Sequence, residues 1–305
     1  MAWNKLGLII EPDPEISWMS HYTGPSFVDI KDHNVIEILV TGRDSNNVSR
    51  VGKVKVNKDN PLEIISIEGE PLFDIGELGT FDESGVSYPW LVKFDNQIYM
   101  YYVGWVAGGR TRFQNATGLC CSVDNGKVYN RVSKAPILPR TNAEPIATGS
   151  VCVLKENDLW RMWYTAFDRW EMTKGGVAQH YYNIKYAESN DGINWRRDGQ
   201  VAIDFLGESE HTIGKPMVLK GKDKYEMWYS YRGGSDLYRI GYADSADGIN
   251  WIRKDANVGI NVSESGWDSE MIEYAFVFEC NNNRYMVYNG NNFGKSGLGL
   301  AQWID

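Results

Sequence analysis

Glu273 differs from the other acids that stand ahead of apolar runs in this sequence. It lies three residues before Phe276 and is flanked by Ile272, Tyr274 and Ala275. A carboxyl held there is partly desolvated, which raises its pKa and suits it to general-acid work. Other acids stand in loops ahead of similar apolar runs: Asp82 and Glu83, Glu144, Glu208 and Glu210 beside His211, and Asp268 with Glu270. Most acids in such loops are solvated or cap turns. Asp82, Glu83 and Glu210 are the candidates for a base or electrostatic partner of Glu273.

Complementary groups follow a second set of apolar runs: Arg43, Trp105 with Arg110 and Arg112, Asp168-Arg169-Trp170, Arg232, and Asn289, Asn291 and Asn292. Aromatic rings stack on sugar rings, and Arg forks grip hydroxyls, carboxylates or phosphates. Among the 12 tryptophans core packing is the expected role, with Trp105 and Trp170 as exceptions. The substrate-binding candidates are Arg43, Tyr88, Trp105, Arg110, Arg169 and Trp170, together with Lys215, Arg232, Tyr274 and Asn291.

Other chemistries lack their motifs. His21, His33, His180 and His211 show no H-E-x-x-H or paired spacing, so no metal site is expected. There is no phosphate-cradling glycine loop and no G-x-S-x-G elbow, and no cofactor is expected. Cys120, Cys121, Cys152 and Cys280 form no C-x-x-C motif or spaced framework, which fits a reducing compartment. The net charge of −9 and pI near 5.1 disfavour a nucleic-acid partner. The N-terminal segment holds too short an apolar run for a signal peptide, and no stretch approaches the ~20 apolar residues of a membrane span. The expected location is cytoplasmic, with no membrane partner.

The elements that must position these groups are repeated. Taking Val40, Tyr102, Tyr164, Tyr229 and Tyr288 as equivalent anchors, the intervals between successive sequence numbers are 62, 62, 65 and 59. Val28, Trp90, Cys152, Met217 and Phe276 each precede an anchor at one fixed offset, with no gaps needed. Between them sits a polar turn such as Lys220–Lys224, so each pair of runs reads as a β-hairpin. A third run follows, and then near-identical turns: Ser189-Asn190-Asp191-Gly192-Ile193-Asn194-Trp195, Ser245-Ala246-Asp247-Gly248-Ile249-Asn250-Trp251, and a weaker copy from Ser122 to Gly126. Asp-Gly sets a tight turn and the Trp begins a fourth strand.

Four antiparallel strands repeated five times predict an all-β, five-bladed β-propeller filling residues 1–305 as a single domain. The fifth blade lacks an outer strand at its own end. Trp3–Ile10 resembles the outer-strand segment Trp195–Ile203, so the N-terminal strand is expected to pair into blade 5 and close the ring. Loops leading into first strands and leaving second strands then share one rim, where chemistry is expected. The path from anchor to third strand is nearly twice as long in blade 3 (Tyr164 to Ile184) as in blade 4 (Tyr229 to Ile240). The excess includes His180-Tyr181-Tyr182, a rim loop long enough to be functional or disordered.

This pattern resembles the five-bladed propeller glycosidases, glycoside hydrolase families 43, 32, 62 and 130. The resemblance spans essentially the whole chain, through repeat architecture more than through catalytic motifs. Family-43 enzymes place an Asp-Pro at the start of the innermost strand, two places ahead of the position held here by Val28, Trp90, Cys152, Met217 and Phe276. Ser26, Tyr88, Ser150, Lys215 and Tyr274 stand there. Tyr88-Pro89 and Lys215-Pro216 keep the proline without the acid. The family's general-acid Glu falls one place earlier still, where Glu273 stands. Its blade-1 aspartate base is absent, as is the W-M-N-D-P-N-G pattern of family 32. Ordinary inverting hydrolysis needs two carboxyls roughly 6.5–9.5 Å apart, which leaves Asp82, Glu83 or Glu210 to supply the second. Family-130 phosphorylases instead pair one acid with a basic phosphate site, a part open to Lys215, Arg110, Arg169 and Arg232. The resemblance implies a carbohydrate-active enzyme that cleaves or transfers a glycosyl group by acid catalysis, on a sugar or sugar conjugate with an anionic part. The alternatives are a glycoside phosphorylase and a non-catalytic carbohydrate-binding propeller.

Overall fold

The anchor runs are rich in β-branched and aromatic residues, which fit a pleated surface buried on both faces. The computed structural model describes residues 2–31, 34–234 and 237–304; His33 lies outside the described residues. Strand β1 (Ala2–Ile10) comes first and finds its partner at the far end of the chain. Five antiparallel units follow. The first is β2 (Tyr22–Ile30), β3 (Val35–Arg43), β4 (Ser49–Asn57) and β5 (Ile64–Ile67). The second is β6 (Gly85–Phe94), β7 (Gln97–Ala107), β8 (Phe113–Ser122) and β9 (Asn130–Arg131). The third is β10 (Thr148–Glu156), β11 (Leu159–Met172), β12 (Ala178–Ser189) and β13 (Val201–Ile203). The fourth is β14 (Glu210–Lys220), β15 (Tyr225–Gly233), β16 (Arg239–Ser245) and β17 (Ile252–Arg253). The fifth is β18 (Glu273–Cys280), β19 (Asn283–Asn289), the one-turn helix α1 (Asn291–Gly294) and β20 (Leu298–Ile304), with β1 as its outer strand. No helix among the described residues is long and apolar enough to cross a membrane.

First strands of consecutive units touch one another, and β18 touches β2 in turn. This gathers the five strand starts in one place. Neighbouring units are also stitched by buried donors. Tyr101 donates to the Gly192 carbonyl (2.8 Å) and the Trp163 indole to that of Gly248 (2.8 Å), so each Ser-x-Asp-Gly turn docks on the unit before it. Within these turns Ser189 and Ser245 accept backbone N–H groups, as Asp191 and Asp247 do, which locks the turn without outside help.

Loops leading into first strands are pinned by aromatic rings laid on glycines. Trp18 is fully buried and its indole lies so close over Gly42 and Gly52 that a Cβ there would come within 2.5 and 2.2 Å of the ring. Its indole N–H donates to the Glu68 carbonyl at 2.9 Å. Replacing Trp18 by Ala leaves an indole-sized void and an unpaired carbonyl, so stability should fall by about 3–5 kcal/mol; urea unfolding of the two proteins checks this.

Candidate active site

All five first strands carry a register shift near the start, between Thr23 and Ser26, Ser87 and Trp90, Thr148 and Val151, Gly214 and Met217, and Glu273 and Phe276, and in units 2, 4 and 5 it falls at one common position. Bulges of this kind re-aim side chains. In three units the shift forces a non-glycine residue into left-handed backbone: Tyr88 (φ 54°), Lys215 (φ 53°) and Tyr274 (φ 58°). Such conformations persist only where surroundings hold them. Here a hydroxyl from the preceding unit accepts the strained N–H: Thr41 for Tyr88 (3.1 Å), Ser150 for Lys215 (3.1 Å) and Ser230 for Tyr274 (2.8 Å). Thr41 and Ser230 directly follow the anchors Val40 and Tyr229, so the anchor strand of one unit positions the site residue of the next.

Glu273 is wholly buried and neither carboxyl oxygen has a hydrogen-bond partner. Burial pushes its pKa well above the usual carboxylate range; the adjacent Tyr274 hydroxyl and the Arg232 and Arg43 guanidiniums pull the other way without prevailing. Burial thus favours the neutral carboxyl over the carboxylate. Tyr274 and Tyr88 meet edge to face (5.4 Å between centroids), and Tyr238 follows at 6.3 Å from Tyr274. Tyr182 and Tyr238 share a hydrogen bond through their hydroxyls. The Arg232 guanidinium lies 4.7 Å over the Tyr238 ring and 5.9 Å from Phe293. No carboxylate among the described residues pairs with Arg43, Lys215 or Arg232, whereas Arg50, Arg131, Arg197 and Arg253 are all matched by acids.

Lys215 lies deeper, 4% exposed, with its ammonium unpartnered and caged 5.8 Å from the Trp90 ring and 5.6 Å from Phe276. Burial brings its pKa down to about 8. The long β11–β12 hairpin forms one wall, with Trp170 beside Phe113 (5.4 Å) and His180 (5.2 Å), and His180 stacked on Tyr182. Burial, followed by the Arg232 charge, lowers His180 to about 3 and His211 to about 4. Both imidazoles are neutral near pH 7.

The carboxylates expected to face Glu273 are held elsewhere. Asp82 accepts from the Tyr102 hydroxyl (3.0 Å) and Arg131 (2.8 Å). Glu210 is gripped by both terminal nitrogens of Arg253 (2.7 and 3.0 Å). Glu83 accepts the Gly79 N–H and borders a separate cleft of about 580 Å³ between units 2 and 3, with Glu144 and Arg140. These pairs belong to a repeated joint: Glu144 takes Tyr164 (2.7 Å) and Arg197 (2.7 Å), and Asp268 takes Tyr288 (2.9 Å) and Lys5 (2.6 Å). Asp255 does the same for Tyr229 in unit 4, sharing Arg253. Each anchor tyrosine thus donates to a buried or half-buried carboxylate that also pairs with a cation.

Other expected ligand groups also have structural partners. The Trp105 indole donates to Ser49 (2.8 Å) and closes over Gly85, an inter-unit contact. Asn291 braces its loop through the backbone of Glu270, Met271 and Gly266. Arg169 is exposed, paired with Asp168 and Glu171, and lies 3.8 Å over Tyr181. Arg110 is exposed on the β7–β8 loop. Tyr182 and Tyr238, which complete the tyrosine wall beside Glu273, and Phe293 beside Arg232 were not candidates on sequence. Only the extended His180–Tyr182 segment carried a signal. No group of three or more metal-ligating side chains converges among the described residues.

No protein-family model matches the chain. It is 33% identical over 301 residues to the uncharacterized protein Rv1502 of Mycobacterium tuberculosis (strain ATCC 25618 / H37Rv), a match covering 99% of each chain. A 147-residue stretch is 29% identical to a 1,2-beta-oligomannan phosphorylase of Thermoanaerobacter sp. (strain X514), covering 46% of this chain and 48% of that one. Among solved structures, the BT0996 RGII complex superimposes with a TM-score of 0.76 at 16% identity, covering 99% of this chain and 91% of that one. A glycosyl hydrolase from Bacteroides ovatus gives 0.71 at 16% identity, with 99% and 90% covered. A thermostable family-43 glycoside hydrolase gives 0.68 at 16% identity, with 97% and 94% covered. The fold is that of the propeller glycoside hydrolases.

Proposed function

We propose that this chain, which belongs to the same family as Rv1502 of Mycobacterium tuberculosis, is a single-domain five-bladed propeller that cleaves or transfers a glycosyl group, with Glu273 as the source of the proton. The five antiparallel units are its blades, and β1 closes the ring by completing the fifth. The observation that carries the activity is Glu273 itself: an unpartnered, buried carboxyl with a raised pKa at a strained strand start, walled by tyrosines and faced by two arginines. A neutral acid of this kind supplies the proton that the oxygen of a departing alcohol takes up as the glycosidic C–O bond breaks. The carboxylate left behind gains from Arg232 and Arg43, whose charges already favour ionisation.

Phosphorolysis is the second reading. It is favoured by the lack of a second carboxylate facing Glu273 among the described residues and by Arg43, Arg232 and Lys215, which pair with no carboxylate among the described residues and suit an incoming anion. The partial match to an oligomannan phosphorylase points the same way.

A thermal-shift screen against mono- and oligosaccharides, sugar phosphates and nucleotide sugars, with and without inorganic phosphate, followed by turnover assays, tests both. A saccharide should raise the melting temperature by linkage and be turned over by wild type. Turnover that requires phosphate selects the phosphorylase. Binding without turnover under either condition leaves a carbohydrate-binding propeller and removes the enzyme.

A further inference from the structure

Glu273 is 0% exposed, so in the free protein the group that supplies the proton in the proposed reaction presents no surface to a glycosidic oxygen. Tyr274 adjoins this carboxyl and, unlike it, reaches solvent. It is only partly buried, its hydroxyl lies beside the carboxyl, and the same hydroxyl neighbours that of Tyr88. The fold holds strain to put it there. Tyr274 has a left-handed backbone (φ 58°), its N–H is tied to Ser230 at 2.8 Å, and the register shift leaves Tyr274 and Ala275 without partners on β19. The alternating pleat of a regular strand would send Glu273 and Tyr274 to opposite faces; the bulge sets their polar ends side by side.

We propose that Tyr274 is the residue that touches the glycosidic oxygen, relaying the proton of Glu273 to it. This inference rests on the proposed glycosyl cleavage. In the step, the C–O bond breaks with its electron pair passing to the leaving oxygen, which takes the phenolic proton of Tyr274. Tyr274 takes the carboxyl proton of Glu273 in the same movement and ends as neutral phenol. The negative charge rests on Glu273, faced by Arg232 and Arg43, while phosphate supplies the new bond to the sugar carbon, or water supplies it and gives up a proton that restores the Glu273 carboxyl. The tyrosine never carries net charge, which matters because burial and the neighbouring Glu273, Tyr88, Tyr238 and Tyr182 oppose its ionisation. Neither carboxyl oxygen meets hydrogen-bond geometry in the free protein; catalytic contacts of this type commonly tighten only when substrate arrives.

The test compares Tyr274→Phe, Glu273→Gln and the double variant on methyl and 2,4-dinitrophenyl glycosides of the sugar turned over in the screen, with melting temperatures as a folding check. A dinitrophenolate leaves without a proton, so its release bypasses the relay. The expected result is a loss of about 10²–10⁴-fold in kcat on the methyl glycoside for each single variant. The double variant should lose no more than either single one, because the two residues act as one unit. On the dinitrophenyl glycoside all three variants should stay within roughly tenfold of wild type. If Tyr274→Phe keeps wild-type turnover of the methyl glycoside while Glu273→Gln loses it, Glu273 acts directly and the relay is overturned, with the proposed function intact. Equal losses on both glycosides would assign Tyr274 to binding and also overturn the relay. Wild type that turns over no glycoside removes the proposed function and the relay together.

Discussion

Glu273→Gln should abolish proton donation yet leave a protein at least as stable as wild type. The amide has nearly the carboxyl's shape but no proton of useful acidity, so kcat on unactivated glycosides should drop about 10²–10⁴-fold. The stability effect follows from the raised pKa. Between the ordinary value of 4.5 and the higher folded value, the folded protein holds a proton that the unfolded chain has released. Stability from this group is therefore fully present below pH 4.5 and is lost as pH rises through the folded pKa. Gln carries no such ionisation cost, so the variant should gain on wild type progressively from pH 4.5 up to the folded pKa and keep that gain above it. Urea unfolding at several pH values checks the sign. A catalytic acid whose removal stabilises the fold is the mark of a group retained for chemistry. A variant that is inactive and equally destabilised at every pH would instead make Glu273 a structural residue.

Asp82→Ala should have the opposite signature. Asp82 is buried, and its oxygens are used by Tyr102, Arg131 and Thr80. Removing it strands a phenol and a guanidinium between β7 and β9. Breaking a buried ion pair from one side costs about 3–5 kcal/mol; the low end, about 3 kcal/mol, applies because Arg131 keeps some contact with water. Turnover by the fraction that remains folded should change little, as the charges facing Glu273 are Arg232 and Arg43 rather than Asp82. The measurement is a paired one, with the urea midpoint against kcat per folded molecule. A large fall in kcat with an unchanged midpoint would restore Asp82 as the second catalytic carboxylate.

The contrast between these two acids shows what the sequence displays and what it hides. Repeat spacing located the strands because a propeller imposes one period on every unit, and a constant interval survives divergence of the side chains. It also exposed Glu273, because an acid embedded in an apolar run stands out against its neighbours. The same spacing held a sign that Asp82 is structural. Asp82, Glu144 and Asp268 stand at one common distance ahead of their anchors Tyr102, Tyr164 and Tyr288, and a position filled alike in three units answers to a need of the repeat. A site, by contrast, breaks the repeat. Tyr88, Lys215 and Tyr274 share one register yet differ in type, and only their left-handed backbones and the hydroxyls that hold them show that all three are aimed inward. Tyr238 had no sequence signal because it lies on no anchor and in no motif. It joins the pocket through the loop ahead of β16, and tertiary proximity alone places it against Tyr182 and Tyr274. Trp105 misled for a related reason. An aromatic beside arginines at a loop start reads as a sugar platform, but Gly85 leaves room for its indole between units, and the ring goes there.

Proton donation by Glu273 requires it to hold a proton at neutral pH, and infrared difference spectroscopy reads that proton directly. The spectrum of wild type minus Glu273→Gln at neutral pH should show the C=O stretch of a protonated carboxylic acid, shifting in heavy water. A difference spectrum containing only carboxylate stretches would mean that Glu273 is ionised in the free protein, and the proposed proton donor would be lost.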